Sequence, residues 1–445
     1  MQRVTAPAFT QRSVQRPALA IDGGFYLGCA VFAALTAVLS EFYGFRVWGN
    51  FATVAYGIAA LHAGWLLIDT RMPTSGWVAR LRSRWTPLAV IAAAGMIAPL
   101  ITLVIKRLTG VDWLITPMSW AAQPEVWVIE RSASLLLETG SPYTDIAALD
   151  RAPVVNDYTP YGPSMTVFGL PRALLGDSAI TDVRLVFALT AVLTVLGALW
   201  LLGWPKRLAF STIPVRAAQL AVACPLTALT WAVAGPDLAI LGLIVLATAL
   251  AARDRPGWAA AVLAVVLSAK LTALPAVVVI AVLVCARLGV RALGTFCAVH
   301  LAGCALLNVP VYLAAPRAFA EHVVLFPAGL GMINSPAASP LPGYLIANTG
   351  HTGRMIALGM LGVAAVAITG WLLARPPRLG SDALLRIAVG LAAAILLTPA
   401  TRWGYLVYPV ALLGAALCFS VAERNNLANA HVHTARGNAP ARERN

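Results

Sequence analysis

The sequence predicts an all-α integral membrane protein of about twelve transmembrane helices. Of its 445 residues, 60% are hydrophobic and only 11% charged, against roughly 25% charged in a soluble domain. At about 20 apolar residues per spanning helix, the hydrophobic share fills about a dozen spans and leaves little for a soluble domain. The apolar runs fall near residues 24–40, 51–68, 88–105, 183–203, 217–234, 238–252, 258–270, 274–286, 295–313, 355–373, 387–400 and 404–422.

The first run lies too far from the N-terminus and is too poorly flanked for a cleaved signal peptide, so it reads as a retained helix. The pair at 258–286, interrupted by Lys270 and Pro275, reads as two short spans, with one bent span as the alternative. Residues 423–445, rich in Asn and Arg, read as a disordered cytoplasmic tail. Six cysteines stand singly inside or beside apolar runs, with no C-x-x-C pair, so they read as packing residues rather than zinc ligands or disulfide partners.

The net charge of +14 is explained by topology rather than by nucleic acid. With the N-terminus cytoplasmic, the inside segments collect 21 basic residues against 6 acidic ones, leaving 11 against 12 outside. This obeys the positive-inside rule, and an even number of spans returns the C-terminus to the cytoplasm. Abundant Ala and Arg with little Lys suggest a high-GC bacterium, and hence its plasma membrane.

Two external loops are long, about 107–182 and 314–354, and long loops in an otherwise minimal protein usually carry function. Within the first, residues 124–139 read as a helix: Pro124 in the first turn lacks only an N–H that would be unpaired anyway, Gly140 is a C-terminal stop, and Pro142 follows. Its charges keep it from spanning the bilayer, so it is expected along the interface with its Trp, Val and Leu side chains in lipid. A second short helix, 163–175, follows a turn whose Tyr158 and Tyr161 suit stacking on a sugar ring or anchoring at the interface.

Glu125 sits in the first turn of that helix, where the macrodipole favours its ionised form, so it reads either as an N-terminal cap or as a general base. Asp112 is the reserve, otherwise a solvated loop charge, and Glu130 and Arg131 read as a solvated face or a local ion pair. Arg172, Lys270, Arg354 and Arg402 are basic residues at outer positions, with His322 and His351 near in sequence. Lys270, flanked by apolar stretches, qualifies best as an intramembrane functional charge. Such cations suit a phosphate, Arg as a fork and Lys as a point charge, or else they snorkel to headgroups. Asp237, in the Gly235–Pro236–Asp237 turn, is an N-cap or a pocket residue. The sequence contains no D-x-D, G-x-x-x-x-G-K-S/T or H-E-x-x-H, so nucleotide-sugar, ATP and zinc-hydrolase chemistry are unsupported and no cofactor or metal is expected.

The stretch from Glu125, Val126, Trp127 through Gly140, Pro142, Tyr143, followed by Tyr158, Thr159, Pro160, Tyr161, resembles the first external loop of GT-C-fold glycosyltransferases of family 87, which include actinobacterial mannosyltransferases. Ser268–Pro275 and Pro399–Pro409 agree with it. The similarity covers about residues 88–420, making 88–422 the GT-C-like catalytic unit and 1–87 a cytoplasmic N-terminus with two additional spans. The resemblance implies transfer of a sugar, mannose first among candidates, from a polyprenyl phosphate to a lipid or glycan acceptor at the outer face, with inversion and without a nucleotide. By the same resemblance the catalytic carboxylate, usually Asp, falls on Glu125; the donor phosphate would meet Lys270, Arg402, Arg354 and Arg172, and sugar or acceptor would meet Tyr158, Tyr161, Asp237 and His351. Two other readings stay open: a lipid or glycolipid transporter, against which the lack of an internal repeat argues, and a silent homologue that only binds lipid-linked sugar.

Overall fold

A computed structural model describes residues 8–69, 76–109, 120–203, 212–333 and 336–437, with side chains described for residues 16–425 of these segments. The chain is about 81% helical and has no sheet among the described residues. Its principal helices are α1 (Ala8–Leu39), α2 (Tyr43–Ile68), α3 (Thr86–Thr109), α4 (Pro124–Thr139), α5 (Val183–Leu202), α6 (Thr212–Ala221), α7 (Pro225–Val233), α8 (Pro236–Ala252), α9 (Pro256–Ala269), α10 (Leu274–Leu288), α11 (Val290–Ala314), α12 (His351–Ala374), α13 (Gly380–Leu397) and α14 (Val407–Gly437). Every predicted apolar run coincides with one of these helices or, at 217–234, with the pair α6–α7.

Nine of the described helices are long and apolar enough to cross a membrane, or ten if α6 and α7, bent by 43° at their junction, form one span. The expected dozen therefore resolves into these and two shorter apolar helices, α8 and α9, of 17 and 14 residues. At 1.5 Å per residue α9 extends about 21 Å, less than the roughly 30 Å hydrocarbon layer.

Residues 256–288 form two helices rather than one bent span. Arg287, at the end of α10, pairs with Asp254 at the start of α9 (2.8 Å), whereas Lys270, at their junction, pairs with Asp237 at the start of α8. Helices α8, α9 and α10 thus zigzag, bringing residues 237 and 270 to one end of the bundle and 254 and 287 to the other. Lys270 makes the reversal in an extended conformation (φ −151°, ψ 111°). The end opposite Lys270 also holds the α13 start, where Glu423 of α14 accepts from the Gly380 N–H (2.7 Å).

Two cores organise the bundle. Tyr26, Trp48, Tyr56, Ile91 and Leu103 bind α1, α2 and α3 to α6 and α7. The larger core joins α4, α5, α8, α9, α10, α13 and α14, and Trp231 of α7 packs against both.

Helices α1 and α2 begin earlier than the predicted 24 and 51, and in α1 a charge that reads as loop is paired within the fold. Asp22 is buried in α1 and meets Arg84 (2.6 Å) and Arg216 (3.0 Å). The α4 boundaries match the expectation, and Gly140 closes the helix with φ +76°, a left-handed conformation that glycine adopts freely. Its environment does not match. Val126, Val128 and Ile129 are buried in the bundle rather than lying in lipid, and Trp127 lies under the Arg131 guanidinium (4.5 Å).

A candidate transfer site between two ion pairs

Glu125 is positioned by the chain that leads into α4. The Gln123 N–H donates to the Val233 carbonyl (2.9 Å), and the fully buried Arg184 donates to the carbonyls of Ala121 (3.0 Å) and Ala232 (3.2 Å). Residues 121–123 are thereby fastened to the end of α7, and Pro124 opens the helix.

From below, α4 is held by a buried charge network. Arg107 grips Glu130 with both terminal nitrogens (3.0 and 2.5 Å) and reaches Asp182 (3.0 Å). Asp182 also receives Arg184 (2.9 and 2.8 Å), and the carboxylate is held below the usual range because Arg184 and Arg107 outweigh the effect of burial. Glu130, 5% exposed, is thus a structural ion-pair partner rather than part of a solvated face. Arg172, expected at a phosphate, lies on Glu130 (3.3 Å) and Asp177 (2.9 Å) in this network.

Above it, two carboxylate–cation pairs meet. Arg402 Nη1 donates to Glu125 Oε1 (2.7 Å). The other oxygen, Glu125 Oε2, is buried with no hydrogen-bond partner among the described residues. Lys270 pairs with Asp237 Oδ1, which also accepts from the Tyr408 hydroxyl (2.7 Å). Three rings surround the ammonium, Tyr405 at 4.9 Å, Tyr408 at 5.5 Å and Tyr161 at 5.9 Å, a cation–π cage that suits a desolvated cation. Tyr161 links the pairs. Burial, then the charges of Glu125 and Asp237, push its phenol well above the ordinary range. For Arg402 burial acts downward, and the Glu125 carboxylate together with Tyr405 and Tyr161 outweighs it so that the guanidinium pKa rises.

Two backbone features hold this arrangement. Gly162 donates to the Ala269 carbonyl (3.0 Å) and lies so close to α9 that a Cβ would fall 2.0 Å from the Ser268 carbonyl oxygen. Arg402 is held from the loop that precedes α12: Thr401 pairs with residues 337–339 through two backbone hydrogen bonds (3.1 and 2.9 Å), and the Trp403 N–H donates to Ser339 Oγ (3.0 Å).

Glu125, Arg402, Lys270, Asp237 and Tyr161 are therefore brought together from five distant segments. Tyr158 is not with them: it is 1% exposed, stacked on Phe326 (4.2 Å), and donates to Glu321 (2.9 Å), so its ring face is already occupied. His351 and Arg354 lie exposed in the first turn of α12. Asp112 lies outside the described residues. Tyr405 and Tyr408, three residues apart in an aromatic motif just after Arg402, complete the cage, although the sequence marked them only as part of a resemblance. No group of three His, Cys, Asp or Glu side chains capable of holding a metal is gathered among the described residues.

The arrangement offers an unpaired carboxylate oxygen beside two cations within reach of aromatic faces, which suits proton abstraction next to a developing anionic charge. Comparison with curated proteins and with solved structures finds no match. The model of the family described as glycosyltransferase family 87 matches residues 158–399, a stretch that contains Tyr161, Asp237 and Lys270 and is flanked by Glu125 and Arg402. That match spans more than half of the chain, which therefore belongs to glycosyltransferase family 87.

Proposed function

We propose that this membrane glycosyltransferase moves a sugar, mannose being the first candidate, from a polyprenyl-phosphate donor to a lipid or glycan acceptor at the outer face of a bacterial plasma membrane. Both termini would be cytoplasmic, with the catalytic unit a GT-C-like bundle over residues 88–422 and α1 and α2 an accessory pair. The observation that carries this reading is the convergence of Glu125–Arg402 and Asp237–Lys270 around Tyr161. The charge distribution supports the orientation, since Arg253, Arg255, Arg287, Arg375 and Arg378 fall in the turns at the opposite end of the zigzag, as expected of a cytoplasmic side.

In this reading the acceptor hydroxyl gives its proton to Glu125 Oε2 and attacks the anomeric carbon from the face opposite the phosphate. The carbon–oxygen bond to the phosphate breaks, and the phosphate leaves with the electron pair. Lys270 and Arg402 stabilise its charge. Arg402 exchanges Glu125 for phosphate on donor binding, which frees the carboxylate at the moment it must act.

The test is transfer of labelled mannose from polyprenyl-phosphate mannose to glycolipid acceptors by purified protein, wild type against Glu125→Gln. The variant keeps an oxygen for Arg402 but loses the base, so kcat should fall by about 10²–10⁴. Undiminished transfer would remove Glu125 as base. Failure with every polyprenyl-phosphate sugar, together with translocation of lipid across vesicles, would favour the transporter.

A further inference from the structure

We propose that His322, remote from the reacting groups, is a positioning residue for the transfer site, fixing the 158–162 segment from the second external loop and so holding Tyr161 against Lys270. This rests on the function proposed above. His322 is fully buried, with its ring centroid 5.2 Å from that of Tyr143 and 5.3 Å from that of Tyr158. Its Nδ1 accepts from the Thr159 N–H (2.8 Å). Its Nε2 lies 2.8 Å from the Thr144 carbonyl, which can only accept, so the proton resides on Nε2 and the ring is neutral. Both nitrogens are thus committed, to two points on the first external loop.

Three backbone holds act on the segment that carries Tyr161. His322 takes the Thr159 N–H, the Tyr143 hydroxyl donates to the Tyr161 carbonyl (3.0 Å), and the Ala269 carbonyl takes the Gly162 N–H (3.0 Å). The last is the contact that docks this segment on α9 next to Lys270. Glu321 adds a side-chain hold, accepting from the Tyr158 hydroxyl (2.9 Å) and from the Met332 N–H (2.8 Å). On the helix side, Arg131 donates to the carbonyls of Asn156 and Asp157 (both 2.8 Å).

Protonating His322 would set a second N–H against that of Thr159 and break the hold. The groups around the ring are Tyr143, Tyr158, Arg131, Glu321 and Asp157. Burial pushes the imidazole pKa down to about 4, Arg131 acting in the same direction, while the Thr144 carbonyl, Glu321 and Asp157 oppose it. The neutral ring therefore persists below pH 6.5, where an ordinary histidine protonates, and is lost only as pH falls toward 4.

The test compares two variants of the full-length protein. His322→Phe keeps the ring but no nitrogen; His322→Asn keeps an acceptor near the Nδ1 position. His322→Phe is expected to raise the donor KM about tenfold, as loss of one buried hydrogen bond allows, with kcat within about twofold, and to speed amide exchange across residues 158–162. His322→Asn should restore most of both. Unchanged exchange in His322→Phe, a fall confined to kcat, or equal loss in His322→Asn would each overturn the proposal. If His322→Phe does not fold, exchange over 158–162 in the wild-type protein decides it: faster exchange as pH drops from 6.5 to 4, corrected for intrinsic rates, supports it, and a flat profile overturns it. The exchange measurements need no sugar transfer, so failure of the donor reading is seen separately.

Discussion

Replacing Gly162 with Ala tests whether the candidate site depends on the close approach of its first-loop segment to α9. The added Cβ would fall 2.0 Å from the Ser268 carbonyl oxygen and 2.9 Å from its carbon. Both are backbone atoms, so no flexible side chain can yield, and the segment must retreat by about 1 Å merely to reach the closest approach that a Cβ tolerates. Overpacking of this kind costs about 1–3 kcal/mol, and stretching the Gly162–Ala269 hydrogen bond adds about 0.5–1.5 kcal/mol, together about 2–4 kcal/mol. For a chain of this length that lowers the apparent Tm by only a few degrees. The same 1 Å displacement carries Tyr161 away from Lys270, and misplacement on that scale can cost on the order of 10²-fold in rate. The expectation is therefore a folded protein with a small thermal shift and about a hundredfold loss of transfer, read by detergent-phase thermal denaturation and a labelled-sugar assay. Gly140→Ala is the control: its φ is positive, unlike that of Gly162 (−76°), but nothing lies within 4 Å of the added atom, so it should cost about 1 kcal/mol and leave transfer intact. Transfer by Gly162→Ala within threefold of wild type would refute the reasoning.

Three further perturbations separate structural from functional charges. Glu130→Gln removes one carboxylate charge from the network around Arg107 and should destabilise by about 3–5 kcal/mol, measured by thermal unfolding; a loss under 1 kcal/mol would show that the network does not hold α4. Lys270→Met should lower transfer by about 10²–10³ if its charge stabilises the departing phosphate. Adding Asp237→Asn should recover stability, since the buried carboxylate is no longer stranded, without recovering activity; recovery of both would make the pair structural. The pKa of His322 falls from 6.5 to about 4 on folding, so the unfolded chain binds its proton first as pH drops. Its contribution is complete above pH 6.5 and lost as pH falls toward 4, a difference on the order of 3 kcal/mol. Comparing the thermal stability of wild type and His322→Asn between pH 4 and 7.5 checks this, and parallel profiles would refute it.

What could be read from the sequence divides along a physical line. Helix ends set by local chemistry are legible: Pro124 and Gly140 delimit α4, and the run 183–203 ends within a residue of α5. Polarity satisfied across the fold is not. Asp22 reads as a reason to start α1 later until Arg84 and Arg216 neutralise it inside the bundle. Glu130 and Arg131, with Glu125 and Glu138, likewise make α4 read as an interfacial helix, yet Glu130 is neutralised by Arg107 and Arg131 is spent on backbone carbonyls, and Val126, Val128 and Ile129 turn inward.

The site follows the same line. A lysine in an apolar run is visible as an anomaly, because an ion without a neighbour is too costly to leave in such a place, and a carboxylate in a first helical turn is visible as a favoured site for a charge. The partner that removes the cost is chosen by topology. Arg402 lies 277 residues from Glu125, and Lys270 meets Asp237 only because α8 and α9 form a short hairpin. The cation cage shows why the tyrosines were harder to see than the charges. A phenol is at ease in many membrane positions, so Tyr405 and Tyr408 carry no local signal of strain, and their role exists only once Lys270 has been placed among them.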